Sequence, residues 1–111
     1  AKSGSSFNVR NSVIANNTSN GVFVDAAGAS LAVASLWENQ IANSGAAGVR
    51  AGNVGNVGGS GVQLNQNQIS NNTSNGVLIS TGGVVNTFTN NEILGNGVDG
   101  CPGCANVGPG T

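Results

Sequence analysis

The heptapeptide Asn-Asn-Thr-Ser-Asn-Gly-Val occupies residues 16–22 and recurs word for word at residues 71–77. A diverged copy at residues 43–49 lies about halfway between the two, so the underlying period is about half of their separation. Self-similarity at a period of about 20 to 50 residues indicates a repeat architecture, in which each repeat buries its apolar face against its neighbours. The heptapeptide therefore predicts a chain of stacked repeats.

Columns of matching residues extend the repeat over most of the chain. The apolar anchor before each copy of the heptapeptide is Ile14, Ile41, Ile69 and Ile93, spaced by 27, 28 and 24 residues. Seven residues after the anchors stand Gly21, Gly48, Gly76 and Gly100. Five residues before them stand Val9, Leu36, Leu64 and Phe88, and two residues before them stand Ser12, Asn39, Asn67 and Asn91. Four columns that agree over four copies make the register of the repeats firm.

Each repeat contains three short segments with apolar residues at alternate positions, separated by turns rich in Asn, Gly and Ser. Such alternation predicts strands, whereas the frequent glycines and the lack of a sustained helical spacing exclude helices. A left-handed hexapeptide solenoid is disfavoured because the period is not 18 residues and does not divide into three sixes. We predict one all-β domain, residues 1–111, a parallel β-helix solenoid of about four coils of 24–28 residues. The coils lie near 7–33, 34–61, 62–86 and 87–104, followed by a tail, 105–111.

The repeat resembles that of the pectate-lyase-like superfamily over residues 7–101. The shared pattern is Asn-x-Ile, a polar stretch, Gly and then Val-x-Val. The resemblance implies a right-handed parallel β-helix with one strand from each coil in each sheet. It also implies a ladder of stacked side chains in a sharp turn, formed by Ser12, Asn39, Asn67 and Asn91.

Polysaccharide-degrading enzymes of that superfamily use clustered carboxylates, or calcium held by Asp beside a basic residue. The chain has no His, and its only acidic residues are Asp25, Glu38, Glu92 and Asp99. Glu38 and Glu92 are expected in turns two coils apart, about 10 Å from each other at the spacing of strands. We therefore predict no catalytic residue, metal site or cofactor, and a protein that is not an enzyme.

The segment Cys101-Pro102-Gly103-Cys104 has the spacing of a redox or metal half-site. A redox motif would open a helix beside a βαβ unit, and zinc would need two further ligands. Cys101 is instead expected in the inward position that Val22, Val49 and Val77 fill in earlier coils. We interpret the segment as a coil terminator, pinned by a local disulfide if the protein is exported.

Outward positions on the strands are candidates for binding. The alternation places Trp37 outward beside Arg10, where the two side chains could stack and hold a sugar ring. The same alternation places Phe23, Arg50 and Leu78 outward on another strand. The alternative is that these side chains pack under the long turn segments 25–33 and 52–61.

The composition of the chain limits the classes of partner that are expected. Charged residues make up 6% of the chain and its net charge is −1, so nucleic acid is not an expected partner. No apolar run is long enough to span a membrane. The N-terminal edge lacks a strand to cover it, which predicts a homo-oligomer or missing upstream coils.

The sequence thus favours a non-catalytic structural or carbohydrate-contacting module, extracellular or at the cell surface. The alternative is an accessory or remnant domain of a polysaccharide lyase or hydrolase.

Overall fold

A computed structural model of the chain describes residues 5–26, 31–53 and 59–108. Within those ranges the protein is all-β, with no helix. Repeat 1 contains β1 (Ser6–Arg10), β2 (Val13–Ala15) and β3 (Val22–Val24). Repeat 2 contains β4 (Ala32–Trp37), β5 (Gln40–Ala42) and β6 (Val49–Ala51). Repeat 3 contains β7 (Ser60–Asn65), β8 (Gln68–Ser70) and β9 (Val77–Ile79). Repeat 4 contains β10 (Gly83–Thr87) and β11 (Glu92–Leu94), and β12 (Ala105–Asn106) follows.

Strands in the same place of successive repeats pair in parallel, which gives three sheets. Sheet 1 has the order β1-β4-β7-β10-β12, sheet 2 the order β2-β5-β8-β11 and sheet 3 the order β3-β6-β9. The four isoleucine anchors lie in one column of sheet 2, each opposite the next. The predicted all-β class, the parallel pairing and the anchor register are confirmed.

The inward residues of all three sheets form one apolar core. Leu36 and Leu64 come from sheet 1, Ile41 and Ile69 from sheet 2, and Val49 from sheet 3, and each is at most 1% exposed. Complete burial of a side chain of this size contributes about 1.5 to 3 kcal/mol. Short strands can therefore be stable here because every repeat shares its core with the next.

Left-handed backbone occurs at both ends of the strands of sheet 2. Before them, the positive φ angles belong to Asn11, Glu38 and Gln66 (51°, 59° and 56°). After them, they belong to Asn16, Asn43, Asn71 and Gly95 (60°, 58°, 56° and 77°). Asn and Gly tolerate this conformation best, which explains the recurrence of Asn in the heptapeptide.

A first ladder of side chains runs through the turn between sheets 1 and 2. The Asn67 Oδ1 accepts hydrogen bonds from the backbone N and the Nδ2 of Asn39, at 3.0 and 3.2 Å. The Asn91 Oδ1 accepts the same pair from Asn67, at 2.8 and 3.1 Å, and the Asn39 Oδ1 accepts from the Ser12 N at 3.1 Å. The Ser12 hydroxyl donates a hydrogen bond to the Arg10 carbonyl of its own repeat. Buried turn amides are thereby satisfied from one repeat to the next.

A second ladder, not predicted from the sequence, follows sheet 2. The Asn72 Oδ1 accepts from the Ser44 N at 3.0 Å, and the Asn96 Oδ1 accepts from the N and Nδ2 of Asn72 at 3.0 and 2.8 Å. The Asn96 N in turn donates to the Asp99 carboxylate at 2.6 Å, so Asp99 occupies the place of a further rung. Ser44 is the weak rung, because its buried hydroxyl oxygen has no hydrogen-bond partner.

The second ladder explains the predicted glycine column. A Cβ on Gly48 would lie 2.7 Å from the Asn72 Nδ2 and 2.7 Å from the Ile69 Cγ2. A Cβ on Gly76 would lie 2.7 Å from the Asn96 Nδ2. Each of these glycines therefore makes room for the ladder amide of the next repeat.

The fourth repeat departs from the predicted boundaries. Only residues 80–82 join β9 to β10, so the fourth repeat begins at Gly83 and not at residue 87. Four residues, 88–91, then join β10 to β11, where two residues suffice in the earlier repeats. The expected place of Phe88 in the column of Leu64 is therefore wrong, because Thr87 pairs with Leu64.

The C-terminal segment closes over the end of repeat 4. Val98 pairs with Asn75, and the Gly100 N donates back to the Ile93 carbonyl on the edge of β11. Gly100 is therefore not the fourth member of the glycine column, and Cys101 does not take the valine position, because sheet 3 ends at β9. Cys101 and Cys104 form a disulfide with Cα atoms 5.4 Å apart and pack on the core.

Beyond the disulfide, β12 pairs with β10 and adds a strand to sheet 1. The segment expected as a tail from residue 105 thus begins with paired backbone. Residues 109–111 lie outside the described residues.

The N-terminal edge of the three sheets is less completely buried than the repeats that follow it. Phe7, Val9 and Ile14 contact the core but stay partly exposed, whereas Leu36 and Ile41 are buried. The expectation that a second copy or further coils cover this edge stays a prediction.

Gly48→Ala tests the fit between the glycine column and the second ladder. The added methyl group would press on Asn72, on Ile69 and on the Gly76 carbonyl, so we expect a loss of about 1 to 3 kcal/mol in the free energy of unfolding. Chemical denaturation measures it. Gly61→Ala is the control, since its Cβ would meet only the Val33 Cγ1, at 3.4 Å. Equal effects of the two substitutions would contradict the explanation.

Ser44→Asn should complete the second ladder. Its amide would follow the pattern of Asn72 and Asn96 and remove the unbonded hydroxyl, so we expect the free energy of unfolding to rise by about 1 kcal/mol. The control is Ser19→Asn, at an exposed serine outside the ladder. A loss of stability specific to Ser44→Asn would show that this rung has no room for an amide.

Candidate functional site

Trp37 ends β4 on the outer side of sheet 1, in register with Arg10 and Asn65. The Arg10 guanidinium carbon lies 4.5 Å from the centre of the indole ring, so one ring face is occupied by a cation-π contact. The indole Nε1 donates to the Gln66 Oε1 at 3.0 Å. Trp37 is thus held by side chains from both neighbouring repeats and is only partly exposed. This arrangement orients Gln66 and leaves little of the ring open to a ligand.

Phe23, Arg50 and Leu78 form an outward row on sheet 3. The Arg50 guanidinium carbon lies 4.9 Å from the centre of the Phe23 ring. Its Nη2 also donates to the Asn53 Oδ1 at 3.1 Å. Four of the five candidate binding residues therefore form two separate cation-π pairs on two sheets, and Leu78 lies in register with Arg50. The alternative, cover by segments 25–33 and 52–61, involves residues 27–30 and 54–58, which lie outside the described residues.

A groove of about 340 Å³ lies over the turn between sheets 1 and 2. All of its lining residues carry a carboxylate or an amide: Glu38, Asn39, Gln40, Gln66, Asn67, Gln68 and Glu92. Asn39 and Asn67 of the first ladder are its buried members, while the others are exposed. We call this feature the polar groove.

Two rows of side chains flank the polar groove. One row lies on the strands of sheet 2, where Gln40, Gln68 and Glu92 stand in register directly before the isoleucine anchors. The other row lies in the turns, where Glu38 and Gln66 each precede a ladder asparagine. Because neighbouring strands lie about 4.8 Å apart, each row offers polar groups at that interval. In the sequence, the signal for this row is a polar residue directly before three successive anchors.

The backbone under the turn row is costly for these residue types. Glu38 and Gln66 have φ angles of 59° and 56°, whereas the corresponding turn after sheet 2 has only Asn or Gly at its positive φ angles. A long side chain in left-handed backbone costs of order 1 kcal/mol or more. Gln66 offsets this through its bond to Trp37, whereas the Glu38 side chain makes no such contact with the described residues.

The acidic side chains do not assemble into a catalytic pair. Glu92 begins β11 and is not in a turn as expected, and its Oε1 accepts from the Gln68 Nε2 at 3.2 Å. Glu38 lies in repeat 2 and Glu92 in repeat 4, so Gln66 and Gln68 of repeat 3 separate the two carboxylates. Asp25 is buried after β3, and Asp99 belongs to the second ladder.

Among the described residues, no three Asp, Glu or Cys side chains come together as a metal site would require. In the same part of the chain there is no helix long and apolar enough to cross a bilayer.

Positively charged side chains among the described residues do not line the polar groove. The cations among the described residues are Arg10 and Arg50, each stacked on an aromatic ring, and neither lines the groove. The groove therefore carries two carboxylates, five amides and no cation.

Comparison with known proteins finds no matching family model, no matching curated protein and no matching solved structure.

Proposed function

We propose that the chain is a right-handed parallel β-helix, a non-catalytic structural module that contacts carbohydrate through the polar groove. Each strand from β1 to β8 pairs with the strand three positions further along the chain, which supports this architecture. Crossover connections between parallel strands of one sheet are right-handed in nearly all proteins, which supports the handedness. The repeat pattern supports a likeness to pectate-lyase-like proteins.

The observation that carries the carbohydrate proposal is the in-register row of Gln40, Gln68 and Glu92 beside the turn row. Sites for apolar ligands are lined mainly by hydrophobic and aromatic side chains, whereas every side chain around this groove ends in an amide or a carboxylate. Such groups donate and accept hydrogen bonds in fixed directions, which suits a ligand that is rich in hydroxyl groups. The regular spacing of the rows suits an extended chain of such units.

Trp37 has a positioning role in this proposal. Its Nε1 holds the Gln66 amide oxygen, so the Gln66 amide nitrogen remains available to the groove. The sugar-stacking role expected for Trp37 is less well supported, because Arg10 covers one face of the ring.

The alternative is an accessory or remnant domain of a polysaccharide lyase or hydrolase. It would use the same groove, and the separation of Glu38 from Glu92 by Gln66 and Gln68 favours binding over cleavage. Release of reducing ends from a polysaccharide panel by the purified chain would favour the alternative.

A glycan array followed by titration calorimetry of the best ligand tests the proposal. Gln68→Ala removes the central member of the strand row, and we expect the Kd to rise about fivefold or more, as for the loss of one or two hydrogen bonds. Gln63→Ala is the matched control, because Gln63 is an exposed glutamine on β7 of sheet 1, outside the groove. The proposal fails if the chain binds no glycan, or if the two substitutions weaken binding equally.

A further inference from the structure

The charge of the polar groove limits the classes of ligand that it can bind. Glu38 and Glu92 stand at opposite ends of the lining, and both are exposed. None of the lining residues is basic. A ligand with carboxylate or sulfate groups would meet two like charges there, whereas a ligand with ammonium groups would meet two opposite ones.

The spacing of the two carboxylates adds a length requirement. Glu38 belongs to repeat 2 and Glu92 to repeat 4, so two strand intervals separate them, about 10 Å. That distance exceeds one sugar ring. A single amino sugar can therefore pair with one carboxylate at a time, while an oligosaccharide can reach both.

The amides between the carboxylates complete the arrangement. Gln68 of repeat 3 lies between them along the groove, with its Nε2 bonded to Glu92, and Gln40 of repeat 2 lies beside Glu38. These amides suit the hydroxyl groups of the intervening sugars. Glu38 is kept in a left-handed position that Asn or Gly would fill at lower cost, which is consistent with a use for its carboxylate.

We propose that the polar groove binds an oligosaccharide that carries amino groups, with Glu38 and Glu92 each pairing with an ammonium group and Gln40 and Gln68 bonding to the sugar hydroxyl groups. This inference rests on the proposed carbohydrate-binding function. It distinguishes the groove from a site for acidic sugars, which would require cations where this chain has carboxylates.

Calorimetry on the full chain with three tetrasaccharides tests the inference. The probes are β-1,4-linked glucosamine, its N-acetylated form and oligogalacturonate, at low salt and a slightly acidic pH at which the sugar amines are protonated. We expect the amino tetrasaccharide to bind about tenfold tighter than the acetylated one, and oligogalacturonate to bind most weakly. Added salt should reduce the preference, and monomeric glucosamine should bind far more weakly than the tetrasaccharide.

The double variant Glu38→Gln/Glu92→Gln should bind the amino and acetylated tetrasaccharides equally. Each single variant should lose about threefold in affinity for the amino form only. Gln63→Glu controls for overall charge, because a carboxylate added outside the groove should not raise the affinity. Circular dichroism of every variant shows whether the fold is retained.

The outcomes separate this inference from the proposed function. Tight binding of neutral or acidic tetrasaccharides without preference for the amino form would overturn the inference and leave the carbohydrate function standing. Equal binding of a lysine-rich peptide would also overturn it, since the carboxylates would then recognise cations without regard to sugar. Failure to bind any saccharide would overturn both.

Discussion

Stacking of one repeat directly over the next is the constraint on which this structure depends. The strands of sheets 2 and 3 have only three residues each, too few to be stable alone, and every one of them is completed by its neighbours. The asparagine ladders carry this register into the turns, where backbone amides would otherwise be buried without partners. The glycine column follows from the same constraint, because a side chain at these positions would overlap the amides of the second ladder. The polar groove also depends on this stacking, because its two rows form only when equivalent residues of successive repeats are in register.

The period of the sequence predicted the fold class, the parallel pairing and the isoleucine column. These features depend on residues that recur at nearly constant spacing, so the linear chain displays them. The fourth repeat was misplaced because a shortened turn at residues 80–82 and a lengthened turn at residues 88–91 partly cancel. Counting back from Ile93 therefore assigned Phe88 a place that Thr87 takes. The second ladder was not predicted because repeat 2 has Ser44 where repeats 3 and 4 have asparagine, and because Asn72 lies within a heptapeptide that also forms turns.

The candidate site was predicted less well, for a different physical reason. Alternation along a strand shows which residues point outward, but it does not show which strands lie side by side around one concave surface. Trp37 and Phe23 were predicted as binding residues because they are aromatic and point outward. Each is stacked with an arginine of an adjacent repeat. The residues that line the polar groove are common polar residues close to the isoleucine anchors. Their significance lies in their alignment across repeats, which only the packed structure displays.

Native-state hydrogen exchange of the backbone amides of Asn39 and Asn67 tests the central claim most directly. Both amides donate to side-chain oxygens of the first ladder, so no strand pairing accounts for their protection. If the ladder holds the repeats in register, these amides exchange only through global unfolding, with the free energy that denaturation gives for the whole domain. Exchange through local opening, at a free energy far below the global value, would contradict the account.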